Sequence, residues 1–196
     1  MKKSKKYSKN KKEKPNILKE PEVAYTSSGQ SPLNFEKIWA MFQETDKKIQ
    51  NLAKLYGNVS KSMGEVAEDF FFNGLETTMQ IGNIKFHTVE RNRTRKVNNE
   101  HGEFDIFLIN DEILVLVEVK YKLHSNDVDE FVKDKLPLFK RLYPEYSDKI
   151  QYGALASLAV SETVGNLVIK NGLYLLTQSG ENIKLLNGKN FLPSQF

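Results

Sequence analysis

The chain contains no cysteine among its 196 residues. That absence excludes disulfides, zinc–thiolate sites and thiol nucleophiles together. It also contains no run approaching the roughly 18 uncharged apolar residues that a membrane-spanning helix requires. The lysine-rich start is followed by no apolar segment, so no secretory signal is expected there. No glycine-rich phosphate loop occurs, which argues against nucleotide hydrolysis. His87, His101 and His124 show no metal-ligand spacing. What remains is a composition of 39% hydrophobic and 11% aromatic residues, ordinary for a globular domain with a polar appendage. A cytoplasmic protein that does not enter the membrane is the expectation.

Charge is unevenly divided. The net +4 conceals eight lysines against one glutamate within residues 1–14, leaving 21 basic and 24 acidic residues in 15–196. The basic character therefore belongs to the tail. Such a tail either adds salt-sensitive attraction to a polyanion or acts as a solubilising end.

Residues 1–31 carry too few apolar side chains to bury and are expected to be disordered. From Asn34 the pattern changes. Phe35, Ile38, Phe42, Thr45, Ile49, Leu52, Tyr56, Val59, Met63, Val66 and Phe70 recur at alternating steps of three and four, an a/d register held for about five heptads. With Gly57 and Gly64 as weak points, the pattern predicts a helix over 33–55, a break, and a second helix over 62–78. It fits either a dimerising coiled coil, the reading favoured here, or a long helix folded onto its own domain. The implied organisation is a tail over 1–31, a helical extension over 32–61 and a domain over 62–190. Within that domain the expected order is a helix, three meandering strands, a helix over 126–142 interrupted by Pro137, then strand, helix, strand and a short last strand. This is an α/β fold with a mixed central sheet flanked by helices.

The stretch Ile113-Leu114-Val115-Leu116-Val117-Glu118-Val119-Lys120 stands out, because six of its eight residues are apolar and its end is charged. A carboxylate in a buried strand is costly unless a partner or metal compensates. Alternation places Glu118 and Lys120 on one side. The preceding strand, Glu103 to Ile109, is joined to it by Asn110-Asp111-Glu112, and the hairpin can bring Asp105 near Glu118. Along that strand, simple alternation groups Asp105 with Phe107 and Ile109, and Phe104 with Ile106 and Leu108.

Glu65 on a helix, Asp105 on one strand and Glu118-Val119-Lys120 on the next resemble the PD-(D/E)xK nuclease superfamily, with its restriction-endonuclease-like fold. Twelve residues separate Asp105 from Glu118, a gap common in that superfamily. Gly64-Glu65, Phe104-Asp105-Ile106, Val117-Glu118-Val119-Lys120, Asp127-Val128-Asp129-Glu130-Phe131, Tyr152-Gly153-Ala154 and Gln178-Ser179-Gly180 are similar, in order and spacing, to an uncharacterised prokaryotic family in which a coiled coil precedes such a domain. The resemblance implies phosphodiester hydrolysis, of DNA before RNA, with Mg²⁺ or Mn²⁺ held by Asp105 and Glu118. On the same resemblance the Val119 carbonyl would be a third ligand, and Glu65 would bind a second metal or its water shell. Lys120 would orient water or stabilise phosphate charge.

Competing accounts exist for several residues. Ser62-x-x-Glu65 has the spacing of a capping box, which would make Glu65 a helix-start residue. Glu118 and Lys120 could be a structural ion pair. Arg91, Arg93 and Arg95 in an extended segment would share one face suited to phosphates, or form a solvated hairpin tip. Lys122 and Tyr121 follow the acid–lysine motif and could touch substrate. Lys133, Lys135, Lys140 and Arg141 read as the solvent face of their helix. A non-catalytic nucleic-acid-binding or scaffolding protein is the alternative to the nuclease.

Overall fold

A computed structural model describes residues 35–196 of the chain. The tail expected over 1–31 and the start of the first helix lie outside those residues. The chain divides at Asp46 into two compact units. Within the first, the described residues belong to helix α1, Phe35–Thr78, which continues into the second.

The expected break in α1 does not occur. A glycine inside a helix costs about 1 kcal/mol, too little to end one whose other residues favour it. Later in α1, Ala67, Phe71 and Leu75 are fully buried, and packing of that stripe holds the helix. Ser62 and Glu65 therefore lie in mid-helix, and the capping-box account of Glu65 falls away.

After the small ribbon of β1 (Gln80–Ile81) and β2 (Ile84–Lys85) come β3 (Thr88–Val97), β4 (Glu100–Ile109) and β5 (Ile113–Lys122). Then follow α2 (Ser125–Glu130), a π-helical turn (Phe131–Lys135), α3 (Leu136–Leu142), β6 (Ile150–Ala159), α4 (Glu162–Lys170), β7 (Tyr174–Ser179) and β8 (Asn182–Leu185). The six long strands form one sheet in chain order, β3-β4-β5-β6-β7-β8. The pairs β5–β6 and β6–β7 are parallel and the others antiparallel. α1 covers one face, where Phe71 and Leu75 meet Val115, Val117 and Leu176. α2, α3 and α4 cover the other, where Phe131, Phe139 and Val168 meet Leu114, Leu116 and Leu175.

The segment 91–97, read either as an extended arginine face or as a solvated hairpin tip, belongs to strand β3 and pairs with β4 on both sides of Asn92. Its residues are unusual strand formers because β3 is an edge strand, and its arginines are held by acidic partners rather than by burial. The turn to β4 uses Asn98 at φ 54°, a left-handed conformation that Asn tolerates.

One internal feature re-aims both strands. Asn92, opposite Asp105, has φ 52° inside β3. On β4, Phe104 and Phe107 both pack on the α3 face, while Ile106 and Leu108 pack on the α1 face. The simple alternation expected from the sequence is thus broken at Asp105. Phe104 is anchored by edge-to-face contacts with Phe139 at 5.5 Å and Tyr143 at 5.7 Å between centroids, and such pairs add about 0.5–1.5 kcal/mol each to burial. Asp105 is left between the two faces.

Helix interruption at Pro137 takes a specific form. Proline offers no N–H and its ring crowds the carbonyl four residues back. The chain answers with a widened turn, in which Leu136 N–H donates to the Phe131 carbonyl. Lys135, in this π turn, does not lie on the solvent face expected of its helix but reaches Glu118.

Candidate acidic site between strands β4 and β5

Pairing between β4 and β5 runs from Ile109↔Leu114 to Ile106↔Val117 and stops there. Beyond it β5 continues against β6 alone, to Lys122↔Ala159. At the point of separation the Val119 N–H has no β4 carbonyl to bond. Asp105 Oδ2 accepts from it instead, at 2.7 Å. The side chain thus completes the ladder.

Glu118 is 6% exposed. Both of its carboxylate oxygens are engaged: Oε1 accepts from Lys120 Nζ at 2.9 Å and Oε2 from Lys135 Nζ at 2.5 Å. Asp105 stands close enough to feel that charge. Burial first, and Glu118 second, push the Asp105 carboxyl up to about 7, against the pull of Lys135 and the Val119 N–H. Lys120 is held above its ordinary range: burial opposes its charge, but Glu118 more than offsets this by attraction and hydrogen bond, with Asp105 adding.

An open cleft of about 530 Å³ reaches this point, lined by Lys61, Glu65, Glu68, Asn92, Glu103 and Asp105 among others. Of the expected site residues, Asp105, Glu118 and Lys120 are brought together. Glu65 lines the cleft, but its side chain is 64% exposed and sits 3.9 Å from Lys61. One turn further along α1, Glu68 is the acid that responds to the pair. Burial raises its carboxyl, and Glu118 and then Glu65 raise it further.

Lys122 lies exposed at the end of β5. Gln178 uses its amide locally, donating to the Gly180 carbonyl at 2.9 Å. Asp127, in the motif after the site, accepts from the His124 N–H at 2.7 Å and caps α2.

The arginines do not share a face. Arg91 reaches α1, bonding Asp69 at 2.9 Å and lying 4.7 Å from the Phe72 ring centroid. Arg95 reaches the opposite side, pairing with Glu145 over the Tyr143 ring. Arg93 pairs with Glu90 at 2.5 Å. The left-handed residue Asn92 separates Arg91 from the other two, which period-two alternation cannot anticipate.

Lys135 and Glu68 escaped the sequence reading. Pro137, two residues after Lys135, was the available signal of an irregular turn. For Glu68, the signal was its three-residue spacing from Glu65 on the face leading to Phe71.

Among the described residues, no three His, Asp or Glu side chains cluster as a cation cage. The donors present are a carboxylate pair with the Val119 backbone beside it. Hard divalent ions such as Mg²⁺ and Mn²⁺ take oxygen ligands and retain several waters, so one or two carboxylates suffice. Burial first and repulsion from Glu118 second raise Asp105; a bound cation would offset both, and the donor set fits such an ion. No helix among the described residues is long and apolar enough to cross a membrane.

No family model and no curated protein matches this sequence. Among solved structures, a repair endonuclease from Pyrococcus abyssi is similar with a TM-score of 0.31 and 20% identity. The alignment covers 46% of this chain and 39% of that one. A likeness at this level leaves the functional reading to the site's own geometry.

Proposed function

We propose that this chain is a divalent-cation-dependent nuclease that hydrolyses phosphodiester bonds, with DNA its substrate. The observation that carries the reading is the placement of Asp105 beside Glu118, where β4 and β5 part. Asp105, at the edge of the open cleft, lies beside the buried Glu118, which pairs with Lys120 from its own strand. A structural ion pair would need only Glu118 and Lys120. The ladder bond that Asp105 accepts from the Val119 N–H asks only for an oxygen there, not for an acid beside Glu118 at an energetic cost.

Asp105 and Glu118 would hold Mg²⁺ or Mn²⁺, and the bound ion would supply Lewis-acid polarisation of the phosphate and an acidified water. Asp105 stays positioned by its bond to the Val119 N–H. Lys120, with 37% of its side chain exposed, presents an ammonium from the buried acid towards solvent, where it can donate to a phosphate oxygen and stabilise developing charge. Glu68 on α1 lines the same cleft as Asp105. The resemblance of the acid–acid–lysine order to PD-(D/E)xK nucleases supports the same reading. We also propose that a second copy of the chain covers the apolar side of α1, where Ile49, Leu52, Tyr56 and Val59 are 56–76% exposed at coiled-coil spacing.

One observation favours a second reading, non-catalytic nucleic-acid binding or scaffolding: both Glu118 oxygens already accept from lysines of the chain itself, as in a structural ion pair. The deciding experiment offers linear, circular, single-stranded and branched DNA with Mg²⁺ or Mn²⁺. Asp105→Ala and Lys120→Ala are expected to lower cleavage by at least about a hundredfold each. Undiminished cleavage in both would sink the assignment, and no cleavage of any form by the unmodified protein would favour the second reading.

A further inference from the structure

We propose that Lys135 is a resident counter-cation of the acid pair: its ammonium holds Glu118 in the cation-free protein and leaves that carboxylate when a divalent ion binds. The inference rests on the cation-dependent reading above and adds to it an exchange between two positive charges.

Glu118 is nearly inaccessible, and each of its oxygens already accepts from an ammonium. A divalent ion ligated by Glu118 would stand next to at least one of these, and two like charges on one buried carboxylate repel strongly. One lysine must yield. Lys120 sits two residues away on the same strand, so its backbone position keeps it beside Glu118 in either state. Lys135 comes from another element, brought in by the π turn that Pro137 enforces. Irregular turns of this kind recur where a side chain must be aimed into a site.

Lys135 also has somewhere to go. Its Nζ lies 5.9 Å from the Phe104 ring centroid, so its stem can stay against that ring while the head group moves. On its outer side an open groove of about 440 Å³ is lined by Glu103, Glu130 and Asp134 together with Lys135. Three carboxylates around an accessible space offer a second set of partners for the released ammonium. With 22% of its side chain exposed, Lys135 is already at the boundary between the two environments. It is a positioning residue: it acts through Glu118.

The test uses the unmodified full chain first. An amine-acylating reagent is applied in EDTA and in Mn²⁺, and each lysine is quantified by mass spectrometry. Lys135 is expected to become severalfold more reactive in Mn²⁺, while Lys133, with 68% of its side chain exposed and not in contact with Glu118, keeps the same rate. In parallel, Lys135→Met and Lys135→Gln are titrated with Mn²⁺ by calorimetry. Binding about tenfold tighter than in the unmodified protein is expected, the factor equivalent to about 1.4 kcal/mol of relieved repulsion. If Mn²⁺ binds but Lys135 reactivity does not rise, or the variants bind Mn²⁺ equally or more weakly, the exchange is overturned and the cation site stands. If Mn²⁺ binds neither the unmodified protein nor the variants, the cation-dependent reading fails and takes the exchange with it. The labelling experiment decides alone should both variants fail to fold.

Discussion

The charge on Asp105 should make the cation-free protein less stable as pH rises, and Asp105→Asn should remove that dependence. The carboxyl moves from an ordinary 3.8 to about 7 on folding. At about 1.4 kcal/mol per unit, the shift corresponds to on the order of 4 kcal/mol. The sign follows from which state holds the proton. Well below pH 3.8 the group is protonated in folded and unfolded chains alike, and nothing is lost. As pH rises through the window from 3.8 to about 7, the unfolded chain ionises while the folded one resists, so stability falls. Above that window the loss is complete. Asparagine keeps an oxygen to accept the Val119 N–H, so the ladder bond survives while the charge does not. Urea unfolding in EDTA should therefore show variant and unmodified protein nearly equal at about pH 4, and the variant ahead by on the order of 4 kcal/mol at about pH 8. Adding Mn²⁺ at the higher pH should stabilise the unmodified protein more than the variant. A difference that stays constant from acid to alkaline pH would refute the placement of Asp105 beside Glu118 in a desolvated position.

Two further outcomes address the rest of the chain. Leu52→Glu combined with Tyr56→Glu should convert a dimer to a monomer by light scattering, because both side chains are exposed on one stripe of α1 and like charges cannot be buried against each other; a species of unchanged mass would refute pairing through this stripe. Deleting residues 1–14 removes a local charge of +7 and should weaken DNA retention at low salt and flatten its salt dependence; retention unaltered at every ionic strength would reduce the tail to a solubility device.

What could be read in the sequence was whatever burial writes into residue type. The apolar run of β5 ending in Glu118 and Lys120 was visible because a charge among six aliphatic residues has few explanations. The order of helices and strands after it followed from turn and periodicity signals. What escaped reading depended on backbone angles at single residues. Asn92 in a left-handed conformation reverses the facing of β3 and β4, which sends Arg91 to one side and Arg95 to the other and leaves Asp105 between layers. Lys135 was hidden because a regular helix puts it outside, and only the turn made around Pro137 brings it to Glu118. The length of α1 rests on the packing of Ala67, Phe71 and Leu75, which outweighs the local cost of Gly57 and Gly64 and is not written in residue type.

The parting of β4 from β5 makes the sheet a fork, with Asp105 as the wedge at its crotch. A fork can close. Were residue 105 an apolar β-branched side chain, the Val119 N–H would gain by turning to a main-chain carbonyl, and the strands could zip past the point where they now diverge. The acid thus occupies the ladder position where the two strands part. Asparagine at 105 would take away the charge and leave this wedge in place, whereas an apolar side chain would take away both.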